Sequence, residues 1–423
     1  MKIFLTVLFF LGGSFALHAQ TVRCSTMESL AYRADENPEL LNQINQVAAE
    51  ITHSLDQNDR AGDPVYYIPV VVHVLYLADS LQQNLSDAII ESQIDVLNED
   101  YRRLNDNAVN TRPEFLPVAG DAHIEFRLAN VDPDGNSTNG ITRTVGTPTI
   151  FGFPVTFYDP FTNNAKSDAT GGKDPWPTNE YLNVWVCPLF TGLLGYAQFP
   201  GDDPLTDGVA IDYHVFGLNN PNATGLFDVY DGGRTTCHEV GHWLSLYHIW
   251  GDGDCTIDDG IADTPDADAQ SQGCDLNKNT CTESSGPEFN DMVENYMDYS
   301  EDACMNMFTN GQINAMRTTL ETERVDILSS PGWTAINETA FTIAEDVSVY
   351  PIPANENVFV EFRSEIKTEY SFTILNQLGQ TVYESEILNA DLTKINVDDF
   401  ASGIYYVQLN ADGNQAVKKF VKN

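Results

Sequence analysis

Three histidines and one glutamate within residues 238–248 have the types and spacing of a metal site. On a helix, His238 and His242 lie on one face, with Cβ atoms about 5–6 Å apart. Neutral imidazoles at that separation can share one tetrahedral Zn²⁺, and His248 can supply a third ligand once the chain leaves the helix. Zinc lowers the pKa of a bound water from 15.7 to about 7, and Glu239 can take the proton as a carbonyl is attacked. The pattern therefore predicts hydrolysis of peptide bonds.

Two other interpretations compete with this prediction. An amphipathic helix with surface histidines would need no metal, but three histidines and a glutamate in this register are rare in a chain with 8 histidines. A secreted binding or adhesion protein with a structural zinc site is the second alternative. Structural zinc sites are usually closed and rich in cysteine, whereas this pattern leaves one metal position open beside Glu239. Both alternatives are therefore disfavoured.

The letters around the histidines resemble a known family. Residues 238–248, with the run Asn-Tyr-Met-Asp-Tyr at 295–299, are similar to the pappalysins, which belong to the metzincin zinc proteases. The resemblance implies that Met297 forms an apolar floor beneath the zinc, a place that suits its flexible side chain. It also implies that Tyr299 binds the reacting carbonyl oxygen, although a packing role is the alternative. Metzincins usually have glycine where this chain has Ser245, and a left-handed serine there costs about 1–3 kcal/mol.

The composition indicates an exported protein that does not bind nucleic acid. The chain has 62 acidic and 21 basic residues, and phosphate contacts need lysine and arginine. Residues 1–19 read as a signal peptide, with one lysine, an apolar run and small residues before the cleavage point. That run is shorter than the ~20 residues of a membrane-spanning helix, so no transmembrane segment is predicted.

Residues 20–60 are predicted to be a propeptide. The segment contains Cys24, which the resemblance implies is a cysteine switch that ligates the zinc and blocks the water site before maturation. An incidental free thiol is the alternative. We place maturation near Arg60, at the border with the catalytic domain.

The catalytic domain is predicted to span residues 61–333 with an α+β fold. Apolar runs at 65–76, 123–129, 182–187, 196–199 and 209–215 predict strands, and residues 86–104 have helical spacing after a capping Ser86. The resemblance implies a metzincin-like mixed, twisted sheet followed by the zinc helix and a loop-rich, disulfide-bonded lower subdomain. Gly195, Tyr196 and Ala197 resemble its edge strand, where the main chain of a protein or peptide substrate adds as a further strand.

Seven cysteines in an exported chain favour disulfides and one unpaired thiol. Four of them follow the zinc motif, and their sequence positions alone allow three pairings. The resemblance implies the pairs Cys255–Cys281 and Cys274–Cys304. Cys187 and Cys237 are left open, either paired or as buried thiols.

An acidic loop at residues 251–265 predicts a calcium site. Five aspartates on a glycine-rich backbone offer the hard oxygen ligands that Ca²⁺ prefers, although an acidic turn without metal is the alternative. The run 259–265 resembles the calcium loop of pappalysins, and that resemblance carries over Asp259 and the Thr264 carbonyl as ligands.

The resemblance implies a preference for a basic residue directly after the cleaved bond. Some pappalysins favour a basic residue just after the cut and use an acid immediately before the last cysteine of the cluster. That position is Ala303 here, with Glu301 and Asp302 alongside.

The C-terminal residues 346–423, after a linker at 334–345, are predicted to form a small all-β sandwich. Residues 371–375, 382–385 and 404–409 alternate like short strands, with Gly379 and Gly403 between them. The segment resembles the type IX secretion sorting domain of certain Gram-negative bacteria. The resemblance implies that the type IX machinery is a partner and that the protein becomes extracellular or surface-associated. A domain that binds substrate or carbohydrate is the alternative.

Overall fold

The chain forms two compact units, Met1–Trp333 and Thr334–Asn423, in a computed structural model. The structure describes residues 21–54, 63–190, 192–282, 288–333, 347–362, 370–377, 380–385, 392–411 and 414–423. The predicted signal peptide, the maturation site near Arg60, the linker and Gly379 lie outside these residues. Within the described ranges, no helix has the length and apolar content needed to cross a membrane.

The N-terminal unit contains all the described α-helices. They are α1 (Thr26–Glu36), α2 (Glu39–Ser54), α3 (Asp87–Tyr101), α4 (Arg234–Trp243) and α5 (Asn310–Thr322). Helix α3 begins after Ser86, as its sequence predicts, but the serine side chain makes no capping hydrogen bond. A capping box formed by Thr309 and Gln312 starts α5, which packs behind α4.

One mixed sheet of seven strands forms the centre of this unit. Its strands are β1 (Val22–Cys24), β2 (Tyr66–Tyr76), β3 (Ile124–Leu128), β4 (Ile141–Val145), β7 (Leu182–Cys187), β8 (Leu193–Ala197) and β9 (Val209–Asp212), and β5 (Thr149–Ile150) pairs with β6 (Phe153–Pro154) as a separate hairpin. The order is β1-β8-β9-β7-β2-β3, with β4 also on β2. Only the β8–β9 pair is antiparallel.

The sequence predicts the central strands well and the short ones poorly. Strand β2 is an almost continuous apolar run because both of its faces are buried. A strand was predicted at 196–199, but β8 begins at Leu193 and ends at Ala197, and so contains Gly195, Tyr196 and Ala197 of the predicted edge. Phe199 leaves the sheet because its ring packs against the apolar faces of α1 and α2. Strand β4 and the β5–β6 hairpin were not predicted, since they are short and partly exposed.

The C-terminal unit is built from two antiparallel sheets that share one apolar core. The strands are β10 (Val347–Tyr350), β11 (Asn357–Phe362), β12 (Tyr370–Asn376), β13 (Thr381–Glu384), β14 (Leu392–Asn396), β15 (Gly403–Ala411) and β16 (Asn414–Lys422). The sheets have the orders β10-β11-β14 and β13-β12-β15-β16. Val360 of the first sheet and Ile374 and Leu409 of the second are buried in the common core. The all-β prediction agrees with this arrangement.

Candidate metal centre

Helix α4 and the turn after it bring three histidines together. His238 and His242 lie on one face of the helix, and the chain then reverses through Ser245, whose φ of 76° is left-handed. This is the usual conformation just beyond a helix, and glycine is usually preferred there. The Thr319 hydroxyl of α5 lies 2.9 Å from the Ser245 hydroxyl and fixes the turn. The reversal directs His248 back towards the helix.

The three imidazoles point their Nε2 atoms at one another. Nε2 of His242 lies 3.1 Å from Nε2 of His238 and 3.1 Å from Nε2 of His248. Tetrahedral zinc with Zn–N bonds of ~2.0–2.1 Å keeps its ligand nitrogens about 3.3 Å apart. All three side chains are buried, so water does not separate them.

Each imidazole is held at its other nitrogen by an acceptor. Nδ1 of His238 lies 2.7 Å from the Tyr296 carbonyl, Nδ1 of His242 lies 2.7 Å from the Leu246 carbonyl, and Nδ1 of His248 lies 2.7 Å from Asp252 Oδ1. Because those acceptors require Nδ1 to carry the proton, the three Nε2 atoms present lone pairs to the same point. Three converging lone pairs repel one another unless a cation lies between them. The donor set therefore fits a divalent metal.

The histidines are electrostatically suited to act as neutral ligands. Burial lowers the pKa of His238 and of His242 well below the usual range, and the neighbouring imidazoles lower it further. A metal-bound imidazole must be neutral, so this environment favours the ligating form.

Glu239 is buried between α4 and the edge strand. A Cβ on Gly195 of β8 would lie 2.8 Å from the Glu239 Cγ, so only glycine fits opposite the carboxylate. Burial raises the pKa of Glu239 to about 8, although hydrogen bonds from Cys24 and Thr26 lower it in part. Within the described residues, Oε1 of Glu239 has no hydrogen-bond partner. One carboxylate oxygen therefore remains available for a small polar molecule.

Met297 packs under α4, and Tyr299 packs against the histidine rings. Met297 is fully buried under α4, where a Cβ on Gly241 would lie 2.4 Å from its sulfur. The Tyr299 ring packs edge-on to His248, with centroids 5.0 Å apart, and its hydroxyl donates to the Cys24 carbonyl at 3.2 Å. Tyr299 thus combines ring packing with a hydrogen bond to a carbonyl at the site.

Strand β1 brings the Cys24 sulfur into the same cluster. The ligand atoms of Cys24, His238, His242 and His248 all lie within 4.8 Å of one another, and all four residues are buried. Burial raises the pKa of the Cys24 thiol well above its usual range, and the Glu239 charge raises it further. A cation at the cluster would reverse that shift, since coordination deprotonates a thiol.

The residues on either side of Cys24 fill the rest of the site. The Thr26 hydroxyl donates to Glu239 Oε2 at 3.0 Å and accepts from the backbone N–H of Ala197 at 2.8 Å. The Arg23 guanidinium lies 2.9 Å from Asp302 Oδ1, donates to the Ser300 carbonyl at 2.7 Å and stacks over the Tyr230 ring. We call this the Arg23 pocket, defined by Asp302, Ser300 and Tyr230.

Two disulfides tie the loops that follow the histidines. Cys255 is joined to Cys281, and Cys274 is joined to Cys304, which is the pairing that the resemblance implied. Cys187 and Cys237 are buried free thiols and do not pair.

The acidic loop contains the buried Asp259 and the half-buried Asp263. The Thr264 hydroxyl donates to Asp259 Oδ1 at 2.8 Å, and burial raises the pKa of Asp259 to about 8. Within the described residues, Oδ2 of Asp259 and Oδ1 of Asp263 are buried without a hydrogen-bond partner.

Sequence reasoning gave no individual role to Arg23 and Thr26, and it counted Asp252 only among the five aspartates of the acidic loop. Asp252 could have been found, because it lies four residues after His248 and a metal-bound histidine usually needs an acceptor for its second nitrogen. The contacts of Arg23 with Asp302 and of Thr26 with Glu239 join segments more than 200 positions apart, and no local pattern reports them.

Comparisons with known proteins agree with this geometry. Residues 165–321 match the family described as Pregnancy-associated plasma protein-A, and residues 348–423 match the secretion system C-terminal sorting domain. An extracellular metalloprotease of Verticillium alfalfae is 30% identical over 266 residues, which cover 60% of this chain and 77% of the relative. Among solved structures, a Tannerella forsythia promirolysin mutant is 41% identical with a TM-score of 0.62, covering 72% of this chain and 97% of that one. Mature mirolysin with a cleaved peptide is 45% identical with a TM-score of 0.55, covering 63% and 96%.

Proposed function

Since the chain belongs to the pappalysin family of extracellular metalloproteases, we propose that it is a zinc endopeptidase that uses Glu239 as its general base. The observation that carries the proposal is the convergence of three Nε2 lone pairs beside a buried carboxylate. His238, His242 and His248 would hold the metal. When bound, zinc lowers the pKa of a water ligand and polarises a carbonyl oxygen. A structural zinc site is not favoured, because the cluster has a carboxylate with a free oxygen beside it.

The residues of the chain divide the work of hydrolysis. Glu239 accepts the proton of the attacking water and returns it to the leaving amine. The edge of β8, now paired with β1, binds the substrate main chain by strand addition. Tyr299 hydrogen-bonds the reacting carbonyl oxygen, a role supported by its hydrogen bond to the Cys24 carbonyl. Met297 keeps the floor of the site dry and apolar.

The segment at 20–60 keeps the enzyme latent. Cys24 would hold a bound metal in place of water, and Thr26 occupies one oxygen of the proposed general base. The segment therefore blocks both parts of the chemistry at once, and its removal near Arg60 frees both. The catalytic domain would then span 61–333.

The preferred substrate has a basic residue directly after the bond that is cut. The Arg23 pocket supports this, because Asp302 is 3% exposed and accepts a charge-assisted hydrogen bond from an arginine adjacent to Cys24. The family's acidic position is Ala303 here, and Asp302 takes its place from one residue earlier.

Calcium is proposed as a structural ion in the acidic loop. The buried Asp259 and Asp263 oxygens without partners support a hard cation there, with the Thr264 carbonyl as a further ligand. Adding calcium should raise the melting temperature of the wild type but not of Asp259→Asn.

The C-terminal unit addresses the protein for export. It matches the secretion system sorting domain, so the protein is exported by type IX secretion. We place the linker at 334–345 and the sorting domain at 346–423, and we expect the domain to be removed after export.

The decisive experiment replaces Glu239 with alanine in the full chain. Wild type, Glu239→Ala and the surface control Glu323→Ala are each matured with wild-type enzyme on beads, which are then removed. We expect the rate of casein hydrolysis by Glu239→Ala to fall by about 10²–10⁴-fold while one zinc per chain stays bound. Glu323→Ala should match the wild type, and a chelator should abolish its activity.

Activity of Glu239→Ala within tenfold of the wild type would contradict the proposed role. Zinc that stays bound in a wild type without any peptidase activity would favour a structural metal site instead.

A further inference from the structure

Helices α1 and α2 of the predicted propeptide (residues 20–60, here called the pro-segment) cover an apolar surface next to the metal centre. Leu30 of α1 and Leu40 and Ile44 of α2 are buried in one cluster with Phe199, and Tyr247 packs against the same cluster. The Phe199 and Tyr247 rings are stacked, with centroids 4.9 Å apart. We call these two side chains the Phe199 surface.

The Phe199 surface lies directly beside the metal ligands. The Phe199 ring centroid is 5.4 Å from that of His242, in an edge-to-face arrangement. Phe199 also follows the end of β8 at Ala197, so the surface continues the edge to which the substrate main chain binds. A side chain on this surface would therefore belong to a residue within one or two positions of the cleaved bond.

Removal of the pro-segment exposes this surface. Besides the apolar contacts, the Arg33 guanidinium forms an ion pair with Asp202 at 2.6 Å, and Gly201 lies under α2 near Val47. All of these partners leave when residues 20–60 are cut away. An aromatic pair that becomes exposed at the end of a binding edge is suited to contact an apolar side chain of a chain bound there.

The Phe199 surface and the Arg23 pocket lie on opposite sides of the centre. Along β8, Val22 pairs with Leu193 and Cys24 pairs with Gly195, so the Arg23 side of β1 runs towards Leu193. Phe199 lies beyond the other end of the strand. A substrate that follows this edge reaches the two sites with residues on either side of the scissile bond.

We propose that the Phe199 surface binds an apolar side chain of the substrate, one or two residues before the cleaved bond. The proposal rests on the endopeptidase function and on the basic preference after the cut, which together fix the direction of the chain. The preferred substrate class is thus a protein segment with an aliphatic or aromatic residue before the cut and a basic residue after it.

The test uses the full chain after removal of the pro-segment, together with quenched fluorescent peptides. All peptides have arginine after the cut, and each carries either leucine or the similarly sized asparagine at one of the two preceding positions. We expect kcat/KM for leucine to exceed that for asparagine by about 10-fold or more at one position, as a desolvated apolar contact implies. In Phe199→Ser the ratio should fall below about 3-fold, and in Phe199→Leu it should be kept.

The matched control is Phe153→Ser, which removes an exposed phenylalanine from the β5–β6 hairpin and should retain the wild-type ratio. Because each result is a ratio of two peptides on one enzyme, a general loss of activity does not imitate the expected change. If Phe199→Ser does not fold, the leucine-to-asparagine ratio is measured in Tyr247→Ala instead, since Tyr247 is the half-buried member of the Phe199 surface.

The possible outcomes distinguish failure of the proposed Phe199 binding site from failure of the endopeptidase function. A wild type that cleaves leucine and asparagine peptides equally well at both positions overturns the inference and leaves the endopeptidase function intact. A ratio that survives Phe199→Ser and Tyr247→Ala also overturns it. A wild type that cleaves none of the peptides, nor casein, contradicts the proposed function itself.

Discussion

The two units of this protein differ in what they bury. The N-terminal unit buries charged and ionisable groups throughout its interior, among them His73, Asp100, Lys166 and Glu239. In the described part of the C-terminal unit, every buried side chain is hydrophobic. Buried ionisable groups are costly unless they are paired, so the N-terminal unit depends on specific polar partners that the described part of the C-terminal unit does not need. A unit that serves as an export signal needs only a stable core and an outer surface.

The buried ion pair behind α4 should give the largest effect on stability. Asp100 Oδ1 lies 3.2 Å from the Arg234 guanidinium, and its Oδ2 accepts from the Cys237 thiol at 3.0 Å. Asp100→Ala removes the ion-pair partner of a largely buried guanidinium and leaves it only the Gly232 carbonyl, which should lower the free energy of unfolding by about 3–5 kcal/mol. All 5 tryptophans lie at or before Trp333, so denaturant unfolding followed by tryptophan fluorescence reports on this unit alone.

The control for that prediction is Asp95→Ala on the exposed side of the same helix, which should change stability by less than about 0.5 kcal/mol. Equal effects of the two substitutions would mean that the buried pair does not stabilise the unit.

Lowering the pH should destabilise the N-terminal unit through His73. Burial lowers the pKa of His73 to about 4, below its usual 6.5, and its nitrogens lie 2.8 Å from Thr142 Oγ1 and 2.9 Å from Asn183 Oδ1. Between pH 6.5 and 4 the unfolded chain binds a proton that the folded chain does not, so stability falls as the pH falls. The full loss amounts to about 3 kcal/mol.

This loss can be isolated with His73→Gln. The unfolding free energy of the wild type and of the variant is measured by fluorescence at several values between pH 7 and pH 4. The wild type should lose more stability than the variant across this interval. Parallel curves would show that His73 does not titrate in this way.

The sequence predicted the histidine cluster better than its surroundings. The zinc motif is local, because 11 consecutive residues carry three histidines and the glutamate, and helix geometry alone brings two of the histidines together. Cys24 became a candidate ligand only through the family resemblance. The Arg23–Asp302 pair and the cover of α1 on Phe199 depend on tertiary packing. In the C-terminal unit, β10, β11, β14 and β16 were not assigned individually.

The buried Lys166 is expected to stabilise the N-terminal unit rather than to take part in catalysis. Its ammonium group donates to Gln198 Oε1 at 2.7 Å and to the carbonyls of Thr206 and Gly208 at 2.9 and 3.2 Å. Lys166→Met keeps the size of the side chain but leaves these acceptors unsatisfied. We therefore expect the free energy of unfolding, measured by tryptophan fluorescence in denaturant, to fall by about 2 kcal/mol. The half-buried Lys173, which pairs with Asp168, provides the control, and Lys173→Met should lower the free energy of unfolding by less than about 1 kcal/mol.

The smallest effect is expected in the apolar C-terminal core. Ile374→Val removes one buried methylene from β12 and should cost about 0.5–1.5 kcal/mol. Because this unit contains no tryptophan, its unfolding is followed by amide hydrogen exchange of the β12 and β15 strands, while fluorescence follows the other unit. Exchange in the C-terminal strands should become faster, with tryptophan unfolding and kcat/KM on a peptide unchanged. A coupled change in kcat/KM would mean that the two units do not divide stability and chemistry between them.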